Sequence, residues 1–388
     1  MRILHIGKFF PPFAGGIEHF MADLLVAFSS FDSLYSAALV HSHPGYTDAG
    51  RGNRETYQNC PIYRAPCHGR LLYAPVSPLF PRWLDRAIRE FKPDLLHIHM
   101  PNTSAFWCLA SRQARALPWL VHWHSDVVAS TLDKRLALAY RAYRPLEQRL
   151  LARSSAIIAT SPPYLAASTG LIDWQDRTRI IPLGIQPAPP PLTTAAKAEA
   201  EQLWHSNQTT TLRLLSIGRL TYYKGHQVLL DAIARCPQVR LLIAGSGEYR
   251  AQLEAQIRQQ GLTDQVTLLG YTDQAVLDAL LASCDLFCLP SLERTEAFGV
   301  VLLEAMRFAK PLLASAIEGS GTGWVVQSSQ AGETVPPHQA GPLAEAIQRL
   351  ASAPAQRARY GTNGFSALQQ DFSIERVAQQ IATLYSTL

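Results

Sequence analysis

Glu296 and Glu304 stand eight residues apart in Glu296-Ala-Phe-Gly-Val-Val-Leu-Leu-Glu304. On one continuous helix they would fall within ~80° of each other and ~12 Å apart. That separation is too long for an acid/base pair working on one bond. It suits the two ends of one elongated ligand. Glu296 is expected at or just before a helix N-terminus and Glu304 inside the helix. The amides of Phe298 and Gly299 would then face an anion at the positive helix end. A solvated acidic helix face is the plain alternative. Two cations form a second group, in Gly218-Arg219-Leu-Thr-Tyr-Tyr-Lys224-Gly225. A departing diphosphate needs its charge neutralised as the bond breaks. Arg219 offers a bidentate fork and Lys224 a point charge. Two surface cations in a turn are the competing reading.

The N-terminal segment Lys8-Phe-Phe-Pro-Pro-Phe-Ala-Gly15-Gly16-Ile17-Glu18 places paired glycines just before a helical pattern. Gly15 and Gly16 would let backbone approach a phosphate, or would serve only as a helix-entry turn. The segment is neither a Walker loop nor a Gly-x-Gly-x-x-Gly fingerprint, which weakens a dehydrogenase reading. In Leu120-Val-His122-Trp-His124-Ser-Asp126, His124 follows a strand. A neutral imidazole there could bond a sugar hydroxyl or a departing oxygen. His97 and His99 share one side-chain parity on a nearby strand and read as cleft-wall or core residues. No Asp-x-Asp and no His-Glu-x-x-His occurs, so no metal site is expected.

These residues need elements to hold them. Strand candidates are Arg2–Gly7, Asp94–His99, Trp119–Trp123, Ala156–Thr160 and Arg179–Leu183. A second series is Arg213–Ile217, Arg240–Ala244, Val266–Leu269, Leu286–Leu289 and Pro311–Ser315. Amphipathic stretches such as Ile17–Phe28 and Glu248–Gln260 lie between them. Alternation of this kind implies α/β architecture with parallel sheets covered on both faces. Arg2-Ile-Leu-His-Ile-Gly7-Lys8 is echoed by Arg213-Leu-Leu-Ser-Ile-Gly218-Arg219. Two such strand-Gly-base openings predict two doubly wound domains, with ligands bound in a cleft at their carboxyl edges. The Pro-rich stretch Gln186–Leu192 would divide residues 1–185 from 186–372.

Composition bounds the partners. The 388 residues are 47% hydrophobic and 17% charged, as in a globular protein. Residues 1–185 hold 20 Lys/Arg against 13 Asp/Glu, so the excess positive charge of the chain lies there. That points to an anionic partner or to a solvated basic face. Two basic and apolar segments, around Tyr73, Phe80, Trp83, Arg86 and Arg89 and around Lys134 to Arg153, suit an anionic membrane interface or a snorkelling helix. Nucleic acid is not expected, since no binding module is present. Six cysteines without a Cys-x-x-Cys pair fit a reduced compartment. No signal-peptide core or spanning stretch is seen, so a soluble or peripheral cytoplasmic protein is expected.

Taken together, six segments in order resemble the retaining glycosyltransferases of family 4, which have the GT-B fold. They are Phe-Pro-Pro-Phe-Ala-Gly-Gly-Ile-Glu18, His-Ser-Asp126, Ile-Pro-Leu-Gly-Ile185, Gly-Arg219-Leu-Thr-Tyr-Tyr-Lys224-Gly, Ile-Ala-Gly-Ser-Gly247, and Arg-Thr-Glu296-Ala-Phe-Gly through Leu-Glu304-Ala-Met. The wording is most similar to bacterial enzymes that build O-antigen or exopolysaccharide. The resemblance implies two Rossmann-like domains facing a cleft: an acceptor-binding 1–185 and a nucleotide-sugar-binding 186–372. It also implies a helix, 373–388, that crosses back to the first domain. Glu296 would bond donor-sugar hydroxyls, with the Phe298 and Gly299 amides nearby, and Glu304 the ribose. Arg219 and Lys224, helped by Gly15 and Gly16, would stabilise the diphosphate. His124 would sit beside the sugar. The implied reaction transfers a hexose, mannose being favoured, from a GDP- or UDP-sugar to a lipid-linked or oligosaccharide acceptor. It would proceed with retention and without metal, at the inner face of the cytoplasmic membrane. After Trp324 the chain reads Val-Val-Gln327 where relatives commonly read Val-Asn and a Gly-rich turn, so donor contacts there would differ. The rivals are a GT-B sugar-nucleotide epimerase and a non-catalytic sugar-nucleotide-binding partner.

Overall fold

The computed structural model describes the chain apart from residues 14, 44–49, 72–73, 128–133 and 206–211 and the side chains of residues 134–139. The described residues form two compact units, Met1–Leu183 with Ile374–Leu388, and Gly184–Ser373. The strands of the first unit are β1 (Arg2–Ile6), β2 (Tyr35–His41), β3 (Asn53–Tyr57), β4 (Cys60–Ala65), β5 (Arg70–Leu71), β6 (Ala74–Pro75), β7 (Leu95–Met100), β8 (Trp119–Trp123), β9 (Ala156–Ala159) and β10 (Thr178–Ile180). Those of the second are β11 (Leu212–Ile217), β12 (Val239–Ala244), β13 (Val266–Gly270), β14 (Leu286–Leu289), β15 (Leu312–Ser315) and β16 (Gly332–Val335).

The first sheet runs β10-β9-β8-β7-β1-β2-β4-β3 and is parallel except where β3 pairs antiparallel with β4. The short β5 and β6 form a separate antiparallel hairpin. The second sheet runs β13-β12-β11-β14-β15-β16, with every pairing parallel. Central strands such as β7, β8 and β12 are buried along their whole length. Helices covering both faces demand this, and it is why such strands read as near-continuous apolar runs.

Helices pack by apolar stripes. In Gly16–Phe28 the buried Phe20, Leu24 and Phe28 recur every fourth residue on the face that meets the sheet. Helix Phe80–Phe91 buries Phe80, Leu84, Ala87, Ile88 and Phe91 and turns Arg82, Arg86 and Arg89 outward. The C-terminal helix Ile374–Tyr385 belongs to the first unit and packs on Gly16–Phe28. It buries Ile374, Val377, Ala378, Ile381 and Tyr385. The Tyr385 hydroxyl lies 2.6 Å from His97 Nδ1, which satisfies a phenol that is otherwise inside the core.

Candidate active site

In each sheet the strand order reverses direction at one point. In the second unit that point lies between β11 and β14, paired at Leu214–Leu286 and Leu215–Phe287. Chains leaving the carboxyl ends of two such strands diverge and leave a crevice between them. Gly218 and Arg219 follow β11, then a short 3-10 turn, Tyr222–Lys224, and a helix, His226–Ile233. Gly225 joins turn to helix at φ 73°, in the left-handed region. A Cβ there would be driven into the Pro290 carbonyl oxygen, just beyond β14. The Leu292 amide donates to the Tyr223 carbonyl at 2.7 Å. These contacts stitch the two loops together, and Lys224 meets Glu296 across the join in a side-chain ion pair.

The pair is largely withdrawn from water, with Lys224 12% and Glu296 11% exposed. Burial alone would lower the lysine's pKa, but the Glu296 charge and hydrogen bond outweigh it and hold Lys224 above its ordinary value. The Ser291 hydroxyl donates to the same Glu296 oxygen at 3.0 Å, and the Ser320 hydroxyl donates to the Glu296 main-chain carbonyl. The Tyr223 ring centroid lies 5.7 Å from the ammonium. Beneath it, His226 is pushed down to about 3 by burial and by the Lys224 charge. Ser291, Ser320 and His226 were not singled out from the sequence. Ser291 had one signal: it lies two residues past a strand's carboxyl end.

Helix Val300–Arg307 starts from Gly299, at φ 78° and ψ 59°. A Cβ on Gly299 would lie 2.9 Å from Leu289 Cδ2 and 3.1 Å from Thr322 Cγ2. Phe298 is buried between Trp324 and Phe372. Among the described residues the amides of Phe298 and Gly299 find no acceptor, so the helix start offers N–H groups to a ligand. Glu296 precedes this helix and Glu304 sits within it, so the two carboxylates are not on one continuous helix. Burial raises the Glu304 pKa, opposed by Arg307 and reinforced by Asp278, which pair with each other at 3.3 Å. Arg219 is exposed near Lys224, whose pKa its like charge lowers, and makes no ion pair among the described residues. The structure thus brings Lys224 and Glu296 into contact and sets Arg219, Phe298, Gly299 and Glu304 on the adjoining loops and helix.

In the first unit Gly15 caps helix Gly16–Phe28 with extended backbone, φ −174°, which any residue can adopt. Gly16 is exposed at the first helical position. His124 does not stand free at the end of its strand. It is 3% exposed, its amide donates to the Met100 carbonyl, and its ring lies 4.3 Å from His122 and 5.7 Å from Phe20. His5, His97 and His99 complete a buried group of five imidazoles on one face of β1, β7 and β8. His97 and His99 are therefore core residues. Burial leads the lowering of all five, with His99 reaching about 3, so the rings are neutral. Two triads, His5/His97/His99 and His99/His122/His124, have ligand atoms within 4.8 Å of one another. No carboxylate belongs to either triad. Asp126 is structural: its Oδ1 accepts from Trp123 Nε1 at 2.8 Å and from Ser168 Oγ at 2.5 Å.

Phe80 corrects the reading of an aromatic membrane tip. It is fully buried and stacks on His41 at 4.8 Å, because it begins the apolar stripe of its helix. Trp83 is half-buried under Arg86. Tyr73 and the side chains at 134–139 lie outside the described residues. Among the described residues no helix is long and apolar enough to cross a membrane.

Two doubly wound units, the second with a lysine–glutamate pair at its switch point, are the architecture of the GT-B glycosyltransferases. Comparison with solved structures agrees. Sucrose-phosphate synthase from Thermosynechococcus elongatus superposes with a TM-score of 0.79 at 25% identity, covering 100% of this chain and 98% of that one. Anabaena HepE in complex with UDP gives 0.75 at 24% identity, covering 100% of both chains. Residues 15–184 match the glycosyl transferase 4-like domain and residues 200–367 match glycosyl transferases group 1. O-antigen chain mannosyltransferase C of Escherichia coli is 32% identical over 78% of this chain and 79% of its own length. Phosphatidyl-myo-inositol mannosyltransferase of Mycobacterium leprae is 29% identical over 83% of this chain and 81% of its own. The chain belongs to the family 4 glycosyltransferases.

Proposed function

We propose that this glycosyltransferase moves a hexose, with mannose favoured, from a nucleoside-diphosphate sugar to a lipid-linked or oligosaccharide acceptor in bacterial surface polysaccharide synthesis. The observation that carries the reading is the Lys224–Glu296 pair at the β11/β14 switch point, beside the open N-terminus of helix Val300–Arg307. A donor would take over both members of the pair. Lys224 would turn to the diphosphate, with Arg219, and stabilise the charge that builds as the glycosidic bond breaks. Glu296 would accept hydrogen bonds from sugar hydroxyls, and the Phe298 and Gly299 amides would face the developing anion. Glu304 would bond the ribose hydroxyls. From the first unit, Gly15, Gly16 and His124 serve the same reaction, His124 by a hydrogen bond to the sugar.

Retention at the anomeric carbon, independence of metal and work at the inner face of the cytoplasmic membrane are part of the proposal. The names of the relatives, one acting in O-antigen synthesis and one on an inositol lipid, support the acceptor class. The test is thermal unfolding with UDP, GDP, ADP and their sugars. At roughly 100 times its Kd the true donor adds about 2.7 kcal/mol of stability. GDP or UDP compounds should stabilise the wild type but not Lys224→Ala, and transfer should persist in EDTA. Stabilisation by none of them, or equal stabilisation of the variant, removes the donor site from Lys224.

A further inference from the structure

Glu304 is reached by three charged side chains through their fields alone: Arg307 on its own helix, Asp278 on helix Gln274–Ser283, and Lys224 on the turn Tyr222–Lys224. Among the described residues none gives its carboxylate a hydrogen bond or an ion pair. Arg307 stands three residues further along the helix, the spacing that sets side chains one above the other. A guanidinium so placed would ordinarily fork onto the carboxylate. Here it is drawn elsewhere. Arg307 Nη2 donates to Asp278 Oδ1 at 3.3 Å, and Gln274 Nε2 donates to the same oxygen at 3.0 Å. The guanidinium carbon lies 5.5 Å from the Phe308 ring centroid. Arg307 Nε is buried without a partner among the described residues. We propose that Asp278 and Arg307 are positioning residues for the ribose end of the donor: Asp278 holds the guanidinium off Glu304, which feels its charge while both carboxylate oxygens stay free for a vicinal diol. The proposal rests on the ribose role assigned above to Glu304.

A vicinal diol brings two O–H donors, and an ionised carboxylate is an acceptor with two oxygens. Glu304 serves the diol fully only when it is both charged and unoccupied. Burial works against the charge. Arg307 is the strongest influence in its favour, Asp278 works against it, and Lys224 adds to Arg307. A direct fork from Arg307 would secure the charge but take the lone pairs. A guanidinium anchored to a neighbouring acid separates the two effects. Its charge acts across several ångströms where the dielectric is low, whereas a hydrogen bond does not reach so far. The Asp278–Arg307 pair is itself largely withdrawn from water, at 7% and 14% exposure. It leaves one guanidinium N–H unpaired inside the protein, a cost that a pair serving stability alone has no reason to bear.

Calorimetric titration of the full chain with UDP, GDP and their 2′-deoxy forms, between pH 5.5 and 8.5, tests this. Wild type should bind the ribo form of its nucleotide about tenfold more tightly than the deoxy form. The ratio of the two affinities cancels the ionisation of the phosphates, so its pH dependence follows Glu304. Arg307→Met keeps the stem and removes the charge, and the pH at which the ribo preference is half lost should rise by about one unit or more. Arg307→Lys should bring it back. Asp278→Asn still accepts from Gln274 but releases the guanidinium onto Glu304. The ribo form should then bind about tenfold more weakly while the deoxy form holds, and adding Arg307→Met to Asp278→Asn should restore the preference at pH 8.5. Coincident midpoints for wild type and Arg307→Met, or a wild-type preference in Asp278→Asn, overturn the proposal while the ribose role of Glu304 stands. The near-isosteric Asp278→Asn decides the case if Arg307→Met does not fold. Equal binding of ribo and deoxy forms by wild type, or binding of none of the four, removes Glu304 from the ribose and takes the proposal with it.

Discussion

Glu296 has two duties that a single substitution can separate. Its carboxylate holds Lys224 in a nearly dry pocket and accepts from Ser291, and its proposed ligand is the donor sugar. Glu296→Gln preserves shape and leaves the ammonium without a counter-charge, which costs about 3 kcal/mol or more when the pair is buried. Transfer should drop by about a hundredfold, since a charged hydrogen bond to the transition state is worth about 2–4 kcal/mol. Ser291→Ala should cost only about 1 kcal/mol in either measurement. Equal kcat/KM in wild type and Glu296→Gln would detach Glu296 from the chemistry. At this scale the sequence was legible where a charge stood next to a glycine after a strand, as at Arg219 and Lys224, and in the spacing of Glu296 from Glu304. Ser291 offered only its place past a strand end and His226 offered nothing, because one serine or histidine carries no spacing. The sequence was silent on His5 as well, since only strand order brings residue 5 beside residues 97 and 99.

Most of the strands that could be read were buried on both faces, though β10 was read with two exposed residues and the buried β2 was missed. Trp119–Trp123 and Leu286–Leu289 were expected at the limits the structure gives, and the other named strands differ by a residue or a few at their ends. Strands β2, β4 and β16 were not named. β16 is Gly-Glu-Thr-Val at a sheet edge, where one flank is free and apolar content is not required. β4 buries Arg64, whose ion pair with Glu55 belongs to tertiary structure. The join between the β11 and β14 loops gives a prediction of its own. Gly225 and Gly261 both have positive φ, but only Gly225 presses on backbone; around Gly261 there is open space. Gly261→Ala should cost about 1 kcal/mol, the strain of the dihedral alone. Gly225→Ala adds a clash with Pro290 and should cost about 3 kcal/mol or more, with loss of nucleotide binding. Denaturant midpoints of the two variants decide it, and similar values would mean that the loops are not stitched there.

The two units differ in how they should meet acid. In the first, His5, His41, His97, His99, His122 and His124 are all held below their ordinary value, His41 at about 4. In the second, among the described residues, His226 alone is. An unfolded chain binds protons at these groups below pH 6.5 and the folded chain does not. Stability conferred by neutral burial is therefore complete above 6.5 and is lost as pH falls towards the folded values. At pH 5.5 each such histidine has given up on the order of 1 kcal/mol, so the first unit loses more stability on acidification than the second. Hydrogen exchange in peptides from β7 and β8 should accelerate between pH 7.5 and 5.5, after correction for intrinsic rate, while peptides from β11 and β12 hold. Equal acceleration in both would mean that the histidines take up protons without unfolding.

The Tyr385–His97 contact also has a temporal meaning. The first unit needs Ile374–Leu388, yet about 190 residues of the other unit are made between its two segments. At about 5–20 residues per second, the finished segment Met1–Leu183 waits on the order of ten to forty seconds for the helix that covers Gly16–Phe28. During that interval the histidine face lacks its phenol, and the intervening unit can finish first. The usual order of synthesis is inverted between these two units: the one whose first segment is made earlier is the one completed later.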